Sequence, residues 1–481
     1  MKRDAELSRR QFVGTLATVG GVPVAAQRRP PSRRPNVLFI IVDQWSATCF
    51  GEINKALRTP AVDSIAAAGV RFSNAYCTYP LCSPSRASMF TGRMPHETGV
   101  VLNVPENSRV VPDSMPVLGE LFAEAGYETG YFGKEHTGGA AYRGFQSLGS
   151  IQFPTAGYLA DGSVLDSVFI RDAIEFIHQR RDRPFLAVVS LINPHDICYT
   201  LSFAGIPQKS IVDACEAFRP RPGAYRKFLR GQEFPPLPPN FPAVPPPRMG
   251  SIGPLRQSWT EQDWRLYLAT YYLLIENTDW LIGRVLEALR RAGLGNDTLI
   301  LFTADHGDQM AAHQLVGKGV FYEEATKVPF LMAWKGVIEA RHTSPGELVS
   351  GVDVLPTLCD YAGVRIPKGL TGRSVRPLVE RRSAPWRRHL VSATYDGRML
   401  VADSKKYVAY GPDKPAEFLF DLGNDPGETR DLAQDAGSKA ALEAGRGMLA
   451  SWMKETGGAF PTVPAEEVRK RLRGRIPPQQ R

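Results

Sequence analysis

The chain has 481 residues, of which 43% are hydrophobic, 22% charged and 10% aromatic. This composition is typical of a globular protein, and it excludes a chain disordered throughout, a coiled coil and a multi-span membrane protein. The net charge of +9 is concentrated at the two ends, because residues 1–34 carry eight Lys or Arg and residues 466–481 carry six. The remaining body is close to neutral, so we expect no nucleic-acid partner.

The first residues predict export. Ser8-Arg9-Arg10-Gln11-Phe12-Val13 resembles a twin-arginine signal, and a weakly apolar stretch leads from it to the small residues Ala25-Ala26. We therefore interpret residues 1–34 as a signal peptide and basic linker, and expect the twin-arginine (Tat) export machinery as a partner and a periplasmic or secreted location. The six cysteines show neither CxxC nor zinc-ligand spacing. A protein that folds in the reducing cytoplasm before export needs no disulfide framework.

From Arg34 onward, the sequence alternates between two kinds of element. Continuous apolar runs predict buried strands at Asn36–Val42, Glu128–Gly133, Pro184–Ile192 and Thr298–Thr303. Start and stop signals with helical periodicity predict helices at residues 59–69, Ser114–Gly126, Leu165–Arg180, Gln262–Ala292 and Val352–Tyr361. This alternation predicts an α/β catalytic domain over residues 35–375, with a large, mostly parallel sheet sandwiched by helices.

Two further regions depart from this pattern. Residues 219–257 are dense in proline and predict an irregular insertion, which either shapes a substrate pocket or wraps the surface. Residues 376–465 predict a smaller C-terminal subdomain, in which Met399–Val401, Tyr407–Tyr410 and Glu417–Asp421 form an antiparallel sheet. Residues 466–481 form a basic tail.

Polar side chains follow four of the predicted strands. In chain order they are Asp43-Gln44, Lys134-Glu135-His136, His195-Asp196 and Asp305-His306-Gly307-Asp308. In open α/β sheets, ligands bind outside the carboxyl ends of the strands. Carboxylates, imidazoles and an ammonium group delivered to one edge predict a site for a metal and an anion.

A further motif begins at Cys82. Cys82-Ser83-Pro84-Ser85-Arg86, followed by Thr91-Gly92-Arg93, resembles the C-x-P-x-R signature of the type I sulfatases, in the alkaline phosphatase-like superfamily. The resemblance extends along nearly all of the chain after the leader, through Gly317-Lys318-Gly319 and the C-terminal segment 419–428. Pro84 favours a first helical turn, so we expect Cys82 at or just before a helix N-terminus, where an anion is favoured.

The resemblance implies that Cys82 is oxidised to formylglycine by a formylglycine-generating enzyme. The hydrate of that aldehyde is the nucleophile in this family, and sulfate esters are the substrates. Arg86 is implied to contact the hydrate and a metal-bound oxygen. Lys134 and Lys318 are implied to clamp the sulfate oxygens, which become more negative as the S–O bond breaks.

The resemblance also implies one divalent metal, held by Asp43, Gln44, Asp305, His306 and an oxygen of the modified Cys82. Oxygen ligands favour Ca²⁺, our first choice, with Mn²⁺ or Mg²⁺ as alternatives. Gln44 stands where a second Asp is frequent in the family, and His306 where Asn is frequent.

Two histidines receive proton-transfer roles from the same resemblance. His136 is expected to take a proton from the hydrate, and the spacing of two from Lys134 places both on one side of an extended segment. His195 is expected to protonate the leaving alcohol. His313 and Asp308 are expected to orient other groups or to be structural.

The sequence therefore predicts an exported sulfuric-ester hydrolase that acts on a sulfated small molecule or glycan, with a sulfated carbohydrate favoured. Two alternatives remain open at this point. One is a phosphodiester or phosphonate monoester hydrolase of the same superfamily, and the other is a glycan-binding protein without catalytic activity. No stable membrane span is expected.

Overall fold

The computed structural model describes residues 34–104, 110–151, 162–199, 234–250, 254–411 and 415–461. The export signal, residues 219–233 of the Pro-rich insertion and the basic tail lie outside these described residues. None of the described helices combines the length and apolarity that crossing a membrane requires.

A sheet of eight strands forms the centre of the molecule. Its strands are β1 (Asn36–Asp43), β2 (Val70–Tyr76), β3 (Glu128–Gly133), β4 (Ser147–Leu148), β5 (Phe185–Pro194), β6 (Thr298–Ala304), β7 (Phe330–Ala333) and β8 (His342–Ser350). Their spatial order is β4-β3-β5-β1-β6-β7-β2-β8. All pairs are parallel except those that β7 makes with β6 and β2. The four strands predicted from the sequence are neighbours in this order.

Helices cover both faces of this sheet. Those of the described residues are α1 (Pro60–Ala68), α2 (Cys82–Thr91), α3 (Pro95–Thr98), α4 (Leu118–Glu124), α5 (Gly162–His178), α6 (Pro254–Gln257), α7 (Glu261–Arg291), α8 (Glu323–Thr326), α9 (Val354–Ala362), α10 (Arg376–Val379) and α11 (Lys439–Thr456).

Strand β1 shows why the sheet is buried on both sides. Its alternate residues point to opposite faces. Leu38, Ile40 and Val42 belong to the core shared with α5 and α7, whereas Phe39 and Ile41 belong to the core shared with α2 and α9. A strand that contributes to a core on each of its faces needs an apolar residue at every position, which is why the apolar run is continuous and not alternating.

The C-terminal subdomain contains a second sheet of four antiparallel strands in the order β12-β11-β10-β9. They are β9 (His389–Ala393), β10 (Gly397–Ala402), β11 (Lys405–Tyr410) and β12 (Ala416–Asp421). The three predicted segments lie inside β10, β11 and β12. Helix α11 packs on this sheet through Leu449 and Trp452, which share a core with Leu400. The predicted fold class, a large α/β domain with a smaller antiparallel sheet, is confirmed.

Two predicted helices begin later than expected. The predicted helix 114–126 begins only at Leu118, because Val117 has extended backbone and caps the helix, and Pro116 also disfavours helical backbone at Met115. The predicted helix 352–361 is preceded by a short 3₁₀ turn at Gly351–Asp353, and the α-helix starts at Val354.

Candidate active site

Nine of the predicted site residues come together at the carboxyl ends of β1, β3, β5 and β6. They are Asp43, Gln44, Cys82, Arg86, Lys134, His195, Asp305, His306 and Lys318. Helix α2 begins at Cys82, after Leu81 in extended conformation, and this confirms the expected helix N-terminus. The exposed area of Cys82, Asp43 and His306 is 1% or less. The site therefore lies in an environment of low dielectric, where charges interact strongly.

The Cys82 sulfur contacts the side chains of His306, Lys318 and Asp43, and it also forms a hydrogen bond with His195. His306 Nε2 lies 3.3 Å, Lys318 Nζ 3.5 Å and Asp43 Oδ1 3.7 Å from Sγ. Burial and the Asp43 carboxylate raise the pKa of the thiol, but Lys318 and Lys134 outweigh them and hold this pKa well below its ordinary value. The position of Cys82 thus favours a negatively charged group.

Arg86 lies one turn along α2 and is fully buried. Its Nε donates to Asp305 Oδ2 at 2.7 Å, and its Nη2 lies 3.4 Å from Asp43 Oδ2. Burial opposes its charge, but the two carboxylates raise the pKa of Arg86 above its usual value. Its Nη1 donates to Ser190 Oγ at 2.7 Å and to the Lys134 carbonyl at 3.1 Å. The guanidinium therefore fixes both carboxylates.

Four buried residues form a cluster that fits a divalent cation. The ligand atoms of Asp43, Cys82, Asp305 and His306 all lie within 4.8 Å of one another. Two carboxylates and an imidazole suit a divalent ion, and the Cys82 sulfur occupies the place of the oxygen that the modified residue would offer. Burial and the proximity of Asp43 raise the pKa of Asp305, a repulsion that a bound cation would relieve.

Gln44 lies beside this cluster with a left-handed backbone, φ 70°. Its Nε2 donates to Asp308 Oδ2 at 2.7 Å, so its Oε1 faces the Lys318 ammonium at 2.5 Å. The Cys198 thiol donates to the same oxygen at 3.2 Å. Asp308 therefore orients Gln44, one of the two roles expected for it.

Lys134 follows β3 and reaches Asp43 Oδ2 at 2.7 Å. Its backbone carbonyl accepts hydrogen bonds from Tyr131 Oη at 2.7 Å and Ser190 Oγ at 2.6 Å. Sequence reasoning missed both supporting residues. Ser190 could have been identified from the sequence, because it is a polar residue within an otherwise apolar buried strand and must find a hydrogen-bond partner there.

The alternation argument for His136 is wrong. Strand β3 ends at Gly133, and His136 has a φ of 52°, so the segment from Lys134 to His136 is not extended. Glu135 turns away from the site and accepts hydrogen bonds from Thr137 and from the Ala141 backbone. His136 itself is 4% exposed in this turn.

His195 begins a short 3₁₀ turn directly after β5. Burial, followed by the charges of Lys318 and Lys134, lowers the pKa of His195 to about 3, although Asp43 acts in the opposite direction. The imidazole is therefore neutral near pH 7 in the free site. His313 lies elsewhere, stacked on Tyr322 at 3.8 Å, as expected for a structural residue.

A cavity of about 1080 Å³ lies between the large domain and the C-terminal subdomain. Pro236–Asn240, in the described part of the Pro-rich insertion, line it together with residues 46–48 and Asp403. None of the predicted catalytic or metal-binding residues is among the described residues around this cavity. The described part of the insertion therefore lines a cavity that is separate from the cluster.

Several known proteins are similar to this chain in sequence and in fold. A 2-O GAG sulfatase structure matches with a TM-score of 0.76 at 30% identity, over 90% of this chain and 94% of that one. A Delta 4,5-hexuronate-2-O-sulfatase of Bacteroides thetaiotaomicron is 32% identical over 460 residues, 89% of this chain and 91% of the relative. A phosphonate monoester hydrolase of Agrobacterium radiobacter shares the fold, with a TM-score of 0.68 at 21% identity over 88% of this chain and 96% of that one.

Two family models match the chain. Residues 35–364 match the model described as Sulfatase, and residues 311–444 match the model described as N-sulphoglucosamine sulphohydrolase, C-terminal. The first match alone spans more than half of the chain and contains Asp43, Cys82, Asp305 and Lys318. The chain therefore belongs to the sulfatase family, in the alkaline phosphatase-like superfamily, and is a sulfuric ester hydrolase.

Proposed function

We propose that this protein is an exported hydrolase that removes sulfate from a sulfated carbohydrate, with Cys82 converted to formylglycine. The observation that carries the proposal is the contact of the Cys82 sulfur with Lys318 and His306 at the N-terminus of α2. A nucleophile at a helix N-terminus, beside the ammonium groups of Lys318 and Lys134, is placed to attack the sulfur of a sulfate monoester, which carries one negative charge.

The carbohydrate part of the proposal is supported by two relatives. One is named for a hexuronate and the other for GAG, and each covers about nine tenths of this chain.

Lys134 and Lys318 are proposed to hold the sulfate oxygens. Lys134 contacts Asp43 Oδ2 at 2.7 Å, and Lys318 contacts both Gln44 and Cys82. Burial opposes their charge, but nearby anionic groups raise the pKa of each lysine. Both are therefore ammonium ions at neutral pH and attract the developing negative charge on the sulfate.

A divalent metal, Ca²⁺ by first choice, is proposed to bind Asp43, Asp305, His306, Gln44 and the modified Cys82. When bound, it would supply positive charge that lowers the pKa of the formylglycine hydrate. His306 is held for this role by the contact of its Nδ1 with the Gly307 carbonyl at 3.0 Å, which leaves Nε2 facing the cluster.

His195 is proposed as the donor of a proton to the leaving alcohol. Its pKa of about 3 in the free site reflects burial and two neighbouring ammonium groups. A sulfate ester bound between those ammonium groups brings negative charge to the site, which raises this pKa and favours protonation. His136 is proposed to remove the proton whose loss releases sulfate from the protein.

Export through the Tat machinery is part of the same proposal. It is supported by the order of Arg9-Arg10, an apolar stretch and Ala25-Ala26 in the sequence. A sulfatase outside the cytoplasm would meet carbohydrate polymers that are too large to enter the cell.

A turnover panel tests the proposed function. The protein, expressed with a formylglycine-generating enzyme, is assayed on sulfated oligosaccharides, an aryl sulfate and an aryl phosphonate ester, with Cys82→Ala as the inactive control. We expect sulfate release from a carbohydrate and formylglycine in the Cys82 peptide by mass spectrometry. Faster phosphonate hydrolysis would favour the hydrolase alternative, and glycan binding without turnover would favour the non-catalytic one. An active preparation with only unmodified cysteine would refute the formylglycine step.

A further inference from the structure

A second cavity, of about 880 Å³, lies at the edge of the large sheet opposite the cluster. Arg34 and Asn36 border it at the start of β1, and Phe185 borders it at the start of β5. Because β7 runs antiparallel to β6, the residues that follow β7, Trp334 and Lys335, reach the same edge. The topology thus brings four separate chain segments around one groove.

The groove is strongly basic, although the body of the chain is near neutral. Among the residues that the structure describes, its lining contains two acidic residues, Asp182 and Asp297, and six cationic ones, namely Arg34, Arg180, Arg181, Arg183, Arg291 and Lys335. We call these six residues the basic groove. All of them except Arg181 are exposed. Such a density of one sign of charge along a concave surface attracts anions.

Ion pairs neutralise only part of this charge. Arg181 lies 3.0 Å and Arg183 3.9 Å from the same carboxylate, that of Glu128, and Arg291 pairs with Glu287 at 2.7 Å. Arg180 and Lys335 form no salt bridge with any residue that the structure describes. The lining therefore retains an excess of positive charge.

Helix dipoles explain some of these residues but not all of them. Arg291 ends α7, and Arg180 follows the end of α5 by two residues, and cations are favourable at helix C-termini. Arg34 precedes β1 and Lys335 follows β7, so neither belongs to a helix end. Cations therefore surround the groove at strand ends as well as at helix ends. Helix stability does not explain those at the strand ends, which points to a bound ligand.

Arg181 forms a fixed floor for the groove. Its side chain is 7% exposed, and its guanidinium carbon lies 4.3 Å from the Phe176 ring centre and 4.9 Å from that of Phe185. Stacked guanidinium groups lose little freedom when they bind an oxyanion. The exposed cations around it add long-range attraction.

The occupant must be anionic, because the described lining carries an excess of positive charge. Single-stranded nucleic acid binds through aromatic rings on which bases stack, and the described lining offers no exposed Phe, Tyr or Trp, since Phe185 and Trp334 are buried.

We propose that the basic groove binds an anionic segment of a sulfated polysaccharide at a distance from the catalytic site. The choice of a sulfated glycan as the ligand class rests on the proposed function. Strand β1 runs from Asn36, which lines the groove, to Asp43, seven residues further on, and at about 3.3 Å per residue the two ends are roughly 23 Å apart. The groove therefore tethers the enzyme to the polymer and does not touch the sulfate that is removed.

Charge reversal at Arg180 and Lys335, two cations without a salt bridge to any described residue, tests this proposal. We would compare the full chain with the Arg180→Glu/Lys335→Glu variant, and measure the affinity for dextran sulfate, unsulfated dextran and duplex DNA over a range of salt concentrations. The wild type should bind dextran sulfate and not dextran. The variant should bind dextran sulfate at least tenfold more weakly, and its slope of log affinity against log salt should be shallower by about 2.

A matched variant, Arg430→Glu/Lys439→Glu, makes the same charge change on the exposed surface of the C-terminal subdomain. It should retain most of the affinity, and both variants should hydrolyse a small aryl sulfate at the wild-type rate. Equal weakening by both variants, or none by the groove variant, would overturn the proposal. Tighter, equally groove-dependent binding of duplex DNA would overturn the glycan assignment. Because aryl sulfate turnover is measured separately, failure of the proposed function would be seen there independently of binding.

Discussion

The side-chain amide of Gln44 donates to the Asp308 carboxylate at 2.7 Å, and both groups are fully buried. This contact decides which end of the amide faces the cluster. The nitrogen is occupied by Asp308, so the oxygen faces Lys318, and Asp308 is itself held by Tyr267 Oη at 3.0 Å. A carboxylate outside the metal cluster thus sets the polarity of a predicted metal ligand.

Removing that carboxylate should loosen the metal site. We expect Asp308→Ala to lower metal affinity and activity by about 10–100-fold, the usual cost of losing a partner that orients a ligand. Metal titration of the metal-free enzyme, read by activity and by calorimetry, measures the effect. Tyr267→Phe removes a hydrogen bond to Asp308 but leaves the Asp308 carboxyl group in place, so it should have a smaller effect. Unchanged metal affinity in Asp308→Ala would show that Gln44 needs no orientation.

Much of this arrangement follows from the sequence, and the missing part has a clear physical cause. Strand-end polar residues and the Cys82 motif identified the members of the site, because carboxyl ends of parallel strands meet at one edge. The pairing of Gln44 with Asp308 was not predictable. It depends on the left-handed backbone at Gln44 and on the close approach of two loops 264 residues apart.

The sequence analysis also did not predict strands β7 and β8, which lie toward one edge of the large sheet. Strand β7 has only four residues, too few to show a period, and β8 contains Pro345-Gly346 at the point where its register with β2 shifts. Sequence patterns reveal long buried strands better than short or interrupted ones. The basic groove depends on the reversal of β7 and was therefore invisible in the sequence.

A buried ionic cluster links the C-terminal sheet to the loop that follows Lys318. Lys406 is fully buried, and its ammonium lies 2.9 Å from Glu323 and 2.7 Å from Glu428. It also donates to the Phe321 carbonyl at 2.8 Å. Removing one partner from a buried ionic cluster commonly costs about 3–5 kcal/mol. Lys406→Met should lower the free energy of unfolding by this amount, and Glu323→Gln should restore part of it, as measured by urea denaturation.

The same cluster should give stability a defined pH dependence. Burial raises the pKa of Glu428 to about 8, against about 4.3 for an unfolded Glu, so the folded state holds this proton more tightly. The resulting stabilisation is complete below about pH 4 and is lost as pH rises to about 8. In the Glu428→Gln variant, this loss of stability with rising pH should be absent. Urea midpoints of the wild type and the variant at pH 5, 6.5 and 8 measure the difference. Midpoints that change with pH in parallel in the two proteins would contradict the prediction.

The leader makes a separate prediction. Replacing Arg9 and Arg10 with Lys keeps the charge but changes the paired arginines on which the proposed export signal depends. We expect the variant to remain in the cytoplasm, whereas the wild type appears outside it with a new N-terminus near Gln27. Cell fractionation and N-terminal mass analysis measure both. Undiminished export of the Lys variant would show that the arginine pair does not direct export.

The roles of the two histidines can be separated by the leaving group. General acid catalysis contributes about 10²–10⁴-fold, and only where the departing oxygen needs a proton. A sugar alkoxide needs one, whereas a nitrophenolate scarcely does. His195→Ala should therefore lose most of its activity on a carbohydrate sulfate and much less on a nitrophenyl sulfate.

His136→Ala should behave differently, because release of sulfate from the protein is common to all substrates. Both substrates should then be turned over slowly, and sulfate should remain attached to the protein, as mass spectrometry of the quenched enzyme would detect. Equal losses on both substrates for His195→Ala, with sulfate retained on the protein, would mean that the two roles are exchanged. Normal activity of His195→Ala on both would remove His195 from the reaction, despite its position directly after β5 and the influence of Lys318 and Lys134 on its pKa.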